Sequence, residues 1–309
     1  MFGRIMLPVL LSVISLGAAS SCVAASSSWV EHDQASTRLI AAETGVPEEA
    51  ARLKFGWHVR LAPGWKTYWR SPGDAGLPPR FDWSGSVNVE SVGIAWPVPE
   101  RLTAFGYDTT VYSHEVVLPL TVTLSEPGRA TRVRVKVDYM VCAEICVPLA
   151  ARHELLLPAG GGRDGEASAL IARFDARVPP RQDELCASRE SAPLWIEGVD
   201  LSDQGLGLLV RTVRGAHGLD AFVDGPETAA FGRPKRVATT AATLWALQVP
   251  VYGTLPRDLQ GVPLAIVVVN GADDAIEWRG KVAEAPERTS LKSGGTGRSD
   301  ALPCDRQTE

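Results

Sequence analysis

The 309-residue chain has no C-x-x-C, no H-E-x-x-H, no G-x-S-x-G and no Walker-type glycine loop, and its five histidines are dispersed. Those absences remove the local signatures of a zinc hydrolase, an α/β-hydrolase and a nucleotide-binding fold. Basic charge is scarce as well. The 31 Lys and Arg are outnumbered by 36 Asp and Glu, for a formal charge of −5, and no Lys/Arg-rich run occurs. Without a basic field to hold a phosphate backbone, nucleic acid is not expected as a partner. Beyond the N-terminus no apolar run approaches the roughly 18 residues that would cross a bilayer. LAIVVV, at 264–269, is only strand-sized.

What is present starts with an apolar stretch behind a single Arg and ahead of small residues, MFGRIMLPVLLSVISLGAASSCVAASS. This is the pattern of a signal peptide over residues 1–24 and predicts export. A membrane anchor is disfavoured by the short apolar run. Lipid attachment at Cys22 is disfavoured by Ala19, where a lipobox usually carries Leu, so Cys22 is expected to leave with the signal.

The mature chain reads as all-β. Segments 52–61, 87–95, 111–123 and 130–141 have strand patterns. In TRVRVKVDYMV the alternation puts Val133, Val135, Val137, Tyr139 and Val141 on one face. A glycine-rich break at 158–165 precedes EASALIARFDARV, in which Ala169, Leu170, Phe174 and Val178 suggest one short helix ended by Pro179. Strand patterns return after residue 193. The expected fold is two immunoglobulin-like β-sandwich domains, at 28–158 and 191–283. A linker with a short helix joins them at 159–190, and a flexible tail follows at 284–309.

Chemistry concentrates in YMVCAEICVP, where three residues separate Cys142 from Cys146. On a straight strand these Cα atoms would lie roughly 13 Å apart, whereas a disulfide needs about 4.4–6.8 Å, so bonding them requires a tight turn. A hairpin tip or edge loop is preferred, because Pro148 limits a helix. A bond closing about five residues stabilises by only about 2 kcal/mol in the chain-entropy model, which favours a reactive dithiol over a staple. A structural disulfide remains open, as does a Cu(I) site with Met140 or His153 as further ligands. Glu144 disfavours a thiolate and predicts a reducing couple. Cys186 and Cys304 either pair with each other, pinning the tail, or stay free or bound to a partner.

Three segments then resemble a known family: GWKTYWRSPGDAGLPPRFDWSGSVNV at 64–89, GYDTTVYSHEVVLPL at 106–120 and VDYMVCAEICVPL at 137–149. Together they resemble the periplasmic N-terminal region of the DsbD-type thiol:disulfide interchange proteins, and within it the ScsB branch, named for suppression of copper sensitivity. The resemblance implies an immunoglobulin-like redox domain in the periplasm with no cofactor. It implies that Cys142 and Cys146 form the catalytic pair, acting as a protein-disulfide reductase that relays electrons. The partners implied are a membrane-embedded electron donor and a thioredoxin-like periplasmic protein. Family domains shield their pair with an aromatic cap loop, which makes Phe105 and Tyr107 the cap candidates here. A copper-binding or interaction domain of a copper-tolerance system is the alternative. The family's polytopic membrane domain and thioredoxin-like domain have no counterpart in these 309 residues, so electrons are expected from another protein or another part of a longer one.

Overall fold

The computed structural model describes residues 25–104, 106–237, 242–282 and Cys304. The expected signal peptide and nearly all of the expected tail therefore lie outside the described residues. Eleven strands come first: β1 (Val30–Glu31), β2 (Ala35–Ala41), β3 (Arg52–Leu61), β4 (Lys66–Gly73), β5 (Arg80–Asp82), β6 (Ser91–Ile94), β7 (Glu100–Ala104), β8 (Tyr107–Ser113), β9 (Glu115–Thr123), β10 (Thr131–Cys142) and β11 (Cys146–Leu157). They form two sheets, ordered β1-β2-β3-β9-β6 and β11-β10-β4-β8-β7, with β5 also pairing β10.

The inner faces supply the core. Phe55, Trp57 and Val59 of β3 and Leu118 and Leu120 of β9 are buried with the alternating Val133, Val135, Val137, Tyr139 and Val141 of β10. This is the period-2 face that the sequence pattern predicts. The run at 111–123 is different, because it is two strands in two sheets. His114, at φ 61°, carries the chain from β8 across to β9. Both halves bury apolar side chains, so the hydrophobic pattern continues through the crossing and hides it. The strand expected at 87–95 is shorter, starting at Ser91 after Asn88, at φ 60°.

Helix α1 (Gly165–Asp175) begins where Asp164 accepts a hydrogen bond from the Ala167 backbone N–H at 2.9 Å, an N-cap. Its buried face is Ala167, Ser168, Ile171 and Phe174. Of the expected stripe only Phe174 is buried, because the inward set follows an i, i+4, i+7 spacing from Ala167. The helix covers the outer face of β3 and β9. Gly56 permits that approach, since a Cβ there would fall 2.5 Å from Val117 Cγ1 and 3.2 Å from Ile171 Cγ1.

A 3-10 helix at Gln182–Ser188 leads into the remaining strands: β12 (Leu194–Ser202), β13 (Gly205–Thr212), β14 (Leu219–Asp224), β15 (Ala230–Phe231), β16 (Lys235–Val237), β17 (Leu244–Val249), β18 (Val251–Tyr252), β19 (Pro263–Asn270) and β20 (Asp274–Lys281). Sheets β12-β13-β17-β16 and β14-β19-β20 enclose a second core containing Trp195, Ile196, Leu208, Val210, Leu247, Ile266 and Ile276. The all-β, immunoglobulin-like class expected from the sequence is the one observed. The two cores meet at one place: Phe222 of β14 and Val267 and Val269 of β19 belong to the first cluster.

Candidate functional site

Strands β10 and β11 pair without interruption from Thr131↔Leu157 to Cys142↔Cys146, so the two cysteines face each other at the last rung of a hairpin. Ala143, Glu144 and Ile145 make the turn, closed by the Ala143 N–H donating to the Ile145 carbonyl at 3.0 Å. The Cα atoms are 4.1 Å apart and the sulfurs are bonded. That separation belongs to a non-hydrogen-bonded antiparallel pair, in which side chains come closest. Strict alternation decides where they point. Val141 is in the core, so Cys142 is on the outer face, half-buried, while Cys146 is exposed. Ile145, at 66% exposure, stands beside them as an apolar knob.

Among the described residues, the aromatic side chain hydrogen-bonded to the sulfurs is Tyr68. Strand β4 meets the end of β10 with Thr67 opposite Val141 and Lys66 opposite Cys142. Thr67 Oγ1 donates to the Met140 carbonyl at 3.0 Å. Tyr68 therefore shares the outer face with Cys142. Its hydroxyl donates to Cys142 Sγ at 2.9 Å and lies 3.9 Å from Cys146 Sγ. Although it is on an outer face, Tyr68 is buried, because the 73–79 loop folds over its ring. A Cβ on Gly76, at φ +103°, would fall 2.2 Å from ring atoms of Tyr68, so glycine is required there on both steric and backbone grounds. Burial pushes the phenol pKa up. It stays protonated at neutral pH and can donate to a thiolate.

Of the other residues singled out in the sequence, Phe105 lies outside the described residues. Tyr107 is 54% exposed and pairs with Ala104 at the end of the β7–β8 hairpin. Met140 shares the outer face with Cys142. His153 occupies the opposite, inward face of β11, buried, with Nε2 3.0 Å from Thr37 Oγ1. A ligand set of both cysteines and His153 is therefore not assembled. Among the described residues no group of three or more His, Cys, Asp or Glu could hold a metal ion. Trp57 and Trp69 are buried and Trp65, Trp83 and Trp96 pack against the same core, which accounts for five of the six tryptophans of the first domain, while Trp29 lies against His58, Arg38 and Arg60. Cys186 and Cys304 are bonded, 118 residues apart in sequence.

Tyr68 was not singled out by sequence reasoning. A signal was available: in WKTYWRSPG, apolar and aromatic residues precede a Pro-Gly turn, and a strand there would bring one aromatic to each face.

Residues 36–158 match the family model described as thiol:disulfide interchange protein DsbD, N-terminal. The N-terminal periplasmic domain of ScsB from Proteus mirabilis is similar in structure, with a TM-score of 0.67 and 22% identity over 84% of this chain and 99% of that one, a likeness of fold. The reduced N-terminal domain of DsbD from Neisseria meningitidis aligns with 40% of this chain and 86% of its own, at 18% identity and a TM-score of 0.23. No curated protein matches the chain. Among the described residues no helix is long and apolar enough to cross a membrane.

Proposed function

Residues 36–158 are a DsbD-type N-terminal domain, a thiol:disulfide exchange module, and on that premise we propose that the chain relays electrons in the periplasm. A membrane-embedded donor reduces Cys142–Cys146, and the resulting dithiol reduces a thioredoxin-like protein. The observation that carries this reading is the inequality of the two sulfurs: Cys146 is open to solvent, and Cys142 sits under the Tyr68 hydroxyl.

A donor thiolate attacks Cys146 Sγ. The S–S bond breaks and its electron pair leaves on Cys142 Sγ, which takes up the Tyr68 hydrogen bond as it becomes a thiolate. That bond lowers the basicity of the leaving group and speeds its departure. The donor's second thiolate then attacks the mixed disulfide and frees Cys146, so two electrons and two protons have passed to the pair. The same exchange runs outward when Cys146 attacks a partner's disulfide and Cys142 resolves it. Ile145 supplies apolar contact area to either partner. Phe105 and Tyr107 are assigned to the cap that limits access between encounters. Residues 28–158 form the exchange domain, 159–190 the linker, 191–283 a second sandwich and 284–309 a tail.

Trapping tests the roles. With Cys142→Ala, the surviving Cys146 should displace thionitrobenzoate from a thioredoxin-like protein that lacks its resolving cysteine and carries its remaining one as the thionitrobenzoate mixed disulfide, so that the protein–protein mixed disulfide accumulates. Cys146→Ala should trap at least tenfold less, because its remaining sulfur is half-buried. Equal trapping by the two variants contradicts the assignment, and undiminished partner reduction by the double variant removes the function.

A further inference from the structure

Strand β4 leaves its ladder with β8 directly after Tyr68. Tyr68 faces Val111, and pairing resumes only at Gly73 opposite Thr109. Residues 69–72 thus bulge out of the sheet beside Tyr68, whose hydroxyl reaches the sulfurs. Strain or slack in this bulge bears on where the Tyr68 hydroxyl sits, because a hydrogen bond weakens steeply with misplacement.

The second sandwich grips the bulge. Trp69 meets Phe222 of β14 edge-on, with ring centroids 6.1 Å apart. The Arg70 guanidinium stacks over Trp69 at 4.4 Å. Arg70 Nε is 3.0 Å from Asp224 Oδ2, and its Nη2 is 2.5 Å from Glu277 Oε1. Arg70 is 13% and Glu277 4% exposed at the side chain, so this is a largely desolvated cation held between two carboxylates. Groups of this kind hold a geometry tightly, because displacing one partner strands a buried charge. Glu277 is itself anchored, its backbone N–H donating to the Pro180 carbonyl at 2.9 Å.

We propose that Arg70, held by Asp224 and Glu277, is a positioning residue that places the Tyr68 hydroxyl on Cys142, so that the second sandwich tunes exchange at a pair located in the first. The inference rests on the exchange reading above. It assigns the second sandwich a chemical consequence through one bulged strand segment.

A double-mutant cycle on the full chain tests it, with dithiothreitol as the reductant. The readouts are the rate at which the Cys142–Cys146 peptide becomes alkylatable and its potential against glutathione buffers. Tyr68→Phe should slow reduction roughly tenfold and lower the potential, since the thiolate loses a donor. Arg70→Gln should act in the same direction, and in the Tyr68→Phe background it should add nothing. If Arg70→Gln does not fold, Asp224→Asn at the more exposed end of the clamp enters the same cycle. An Arg70 effect that persists at full size without the Tyr68 hydroxyl, or no Arg70 effect while Tyr68→Phe acts, overturns the positioning role alone. A wild-type pair that dithiothreitol and glutathione leave unreacted overturns the exchange reading, and the inference with it.

Discussion

The two disulfides close loops of very different length, 4 and 118 residues in sequence separation. Cys142–Cys146 joins residues that the β10–β11 ladder already holds face to face, so the bond adds little order to a hairpin whose register is set by pairing. Cys186–Cys304 joins the 3-10 helix at the entrance of the second sandwich to a residue 118 positions later. Both cysteines of that second bond are partly buried, and Cys304 packs against the second core. The length of the closed loop sets how far each bond restricts the unfolded chain, so the second bond contributes more to stability than the first.

The largest effect that would break this contrast is on stability. Cys186→Ser with Cys304→Ser should lower the free energy of unfolding by about 5 kcal/mol, and Cys142→Ser with Cys146→Ser by about 2 kcal/mol, from the loop lengths in the chain-entropy model. Equal losses in denaturant titrations of the two double variants would erase the distinction.

Next in size is an acid effect confined to the sandwich that carries the exchange pair. Burial of His153 pushes its pKa down to about 4. The unfolded chain, with the ordinary value near 6.5, then binds the proton more readily between those two limits. Stability contributed by the neutral imidazole is full above pH 6.5 and is lost as pH falls toward 4, by about 3 kcal/mol. His58, also lowered chiefly by burial, acts in the same direction. His153→Leu should flatten the pH dependence of unfolding over this window, and an unchanged slope would remove the assignment to His153.

The smallest effect is the order of reduction. In limiting dithiothreitol the Cys142–Cys146 bond should open before Cys186–Cys304, because Cys146 is exposed to the reductant while both cysteines of the other bond are partly buried. Peptide mapping after alkylation would show it. Simultaneous opening would mean that the exposure of Cys146 does not decide which bond the reductant reaches first.

Much of the exchange hairpin was legible in the primary structure because its determinants are local. The alternation of Val133 through Val141 gives β10 its face, and a C-x3-C at the end of such a strand needs a tight turn before it can bond. The break at His114 was not legible, since strands on either side of a sheet crossing bury equally apolar residues. Neither was Tyr68, whose burial on an outer sheet face depends on Gly76 arriving from the 73–79 loop. The helix was visible and its inward face was misjudged, because alanine at 167 and 169 reads alike until β3 and β9 choose one.

Local pattern determined the β class, the exported character expected of the N-terminus and the C-x3-C at the end of β10 that the proposed exchange uses. Each depends on residues within a dozen positions of one another. Tertiary structure alone decided which sulfur is open, which phenol faces the other one, and that Arg70 is held by carboxylates of the second sandwich. Those relations join positions 68, 142, 224 and 277, and no spacing in a linear chain encodes a contact made by the packing of separate sheets.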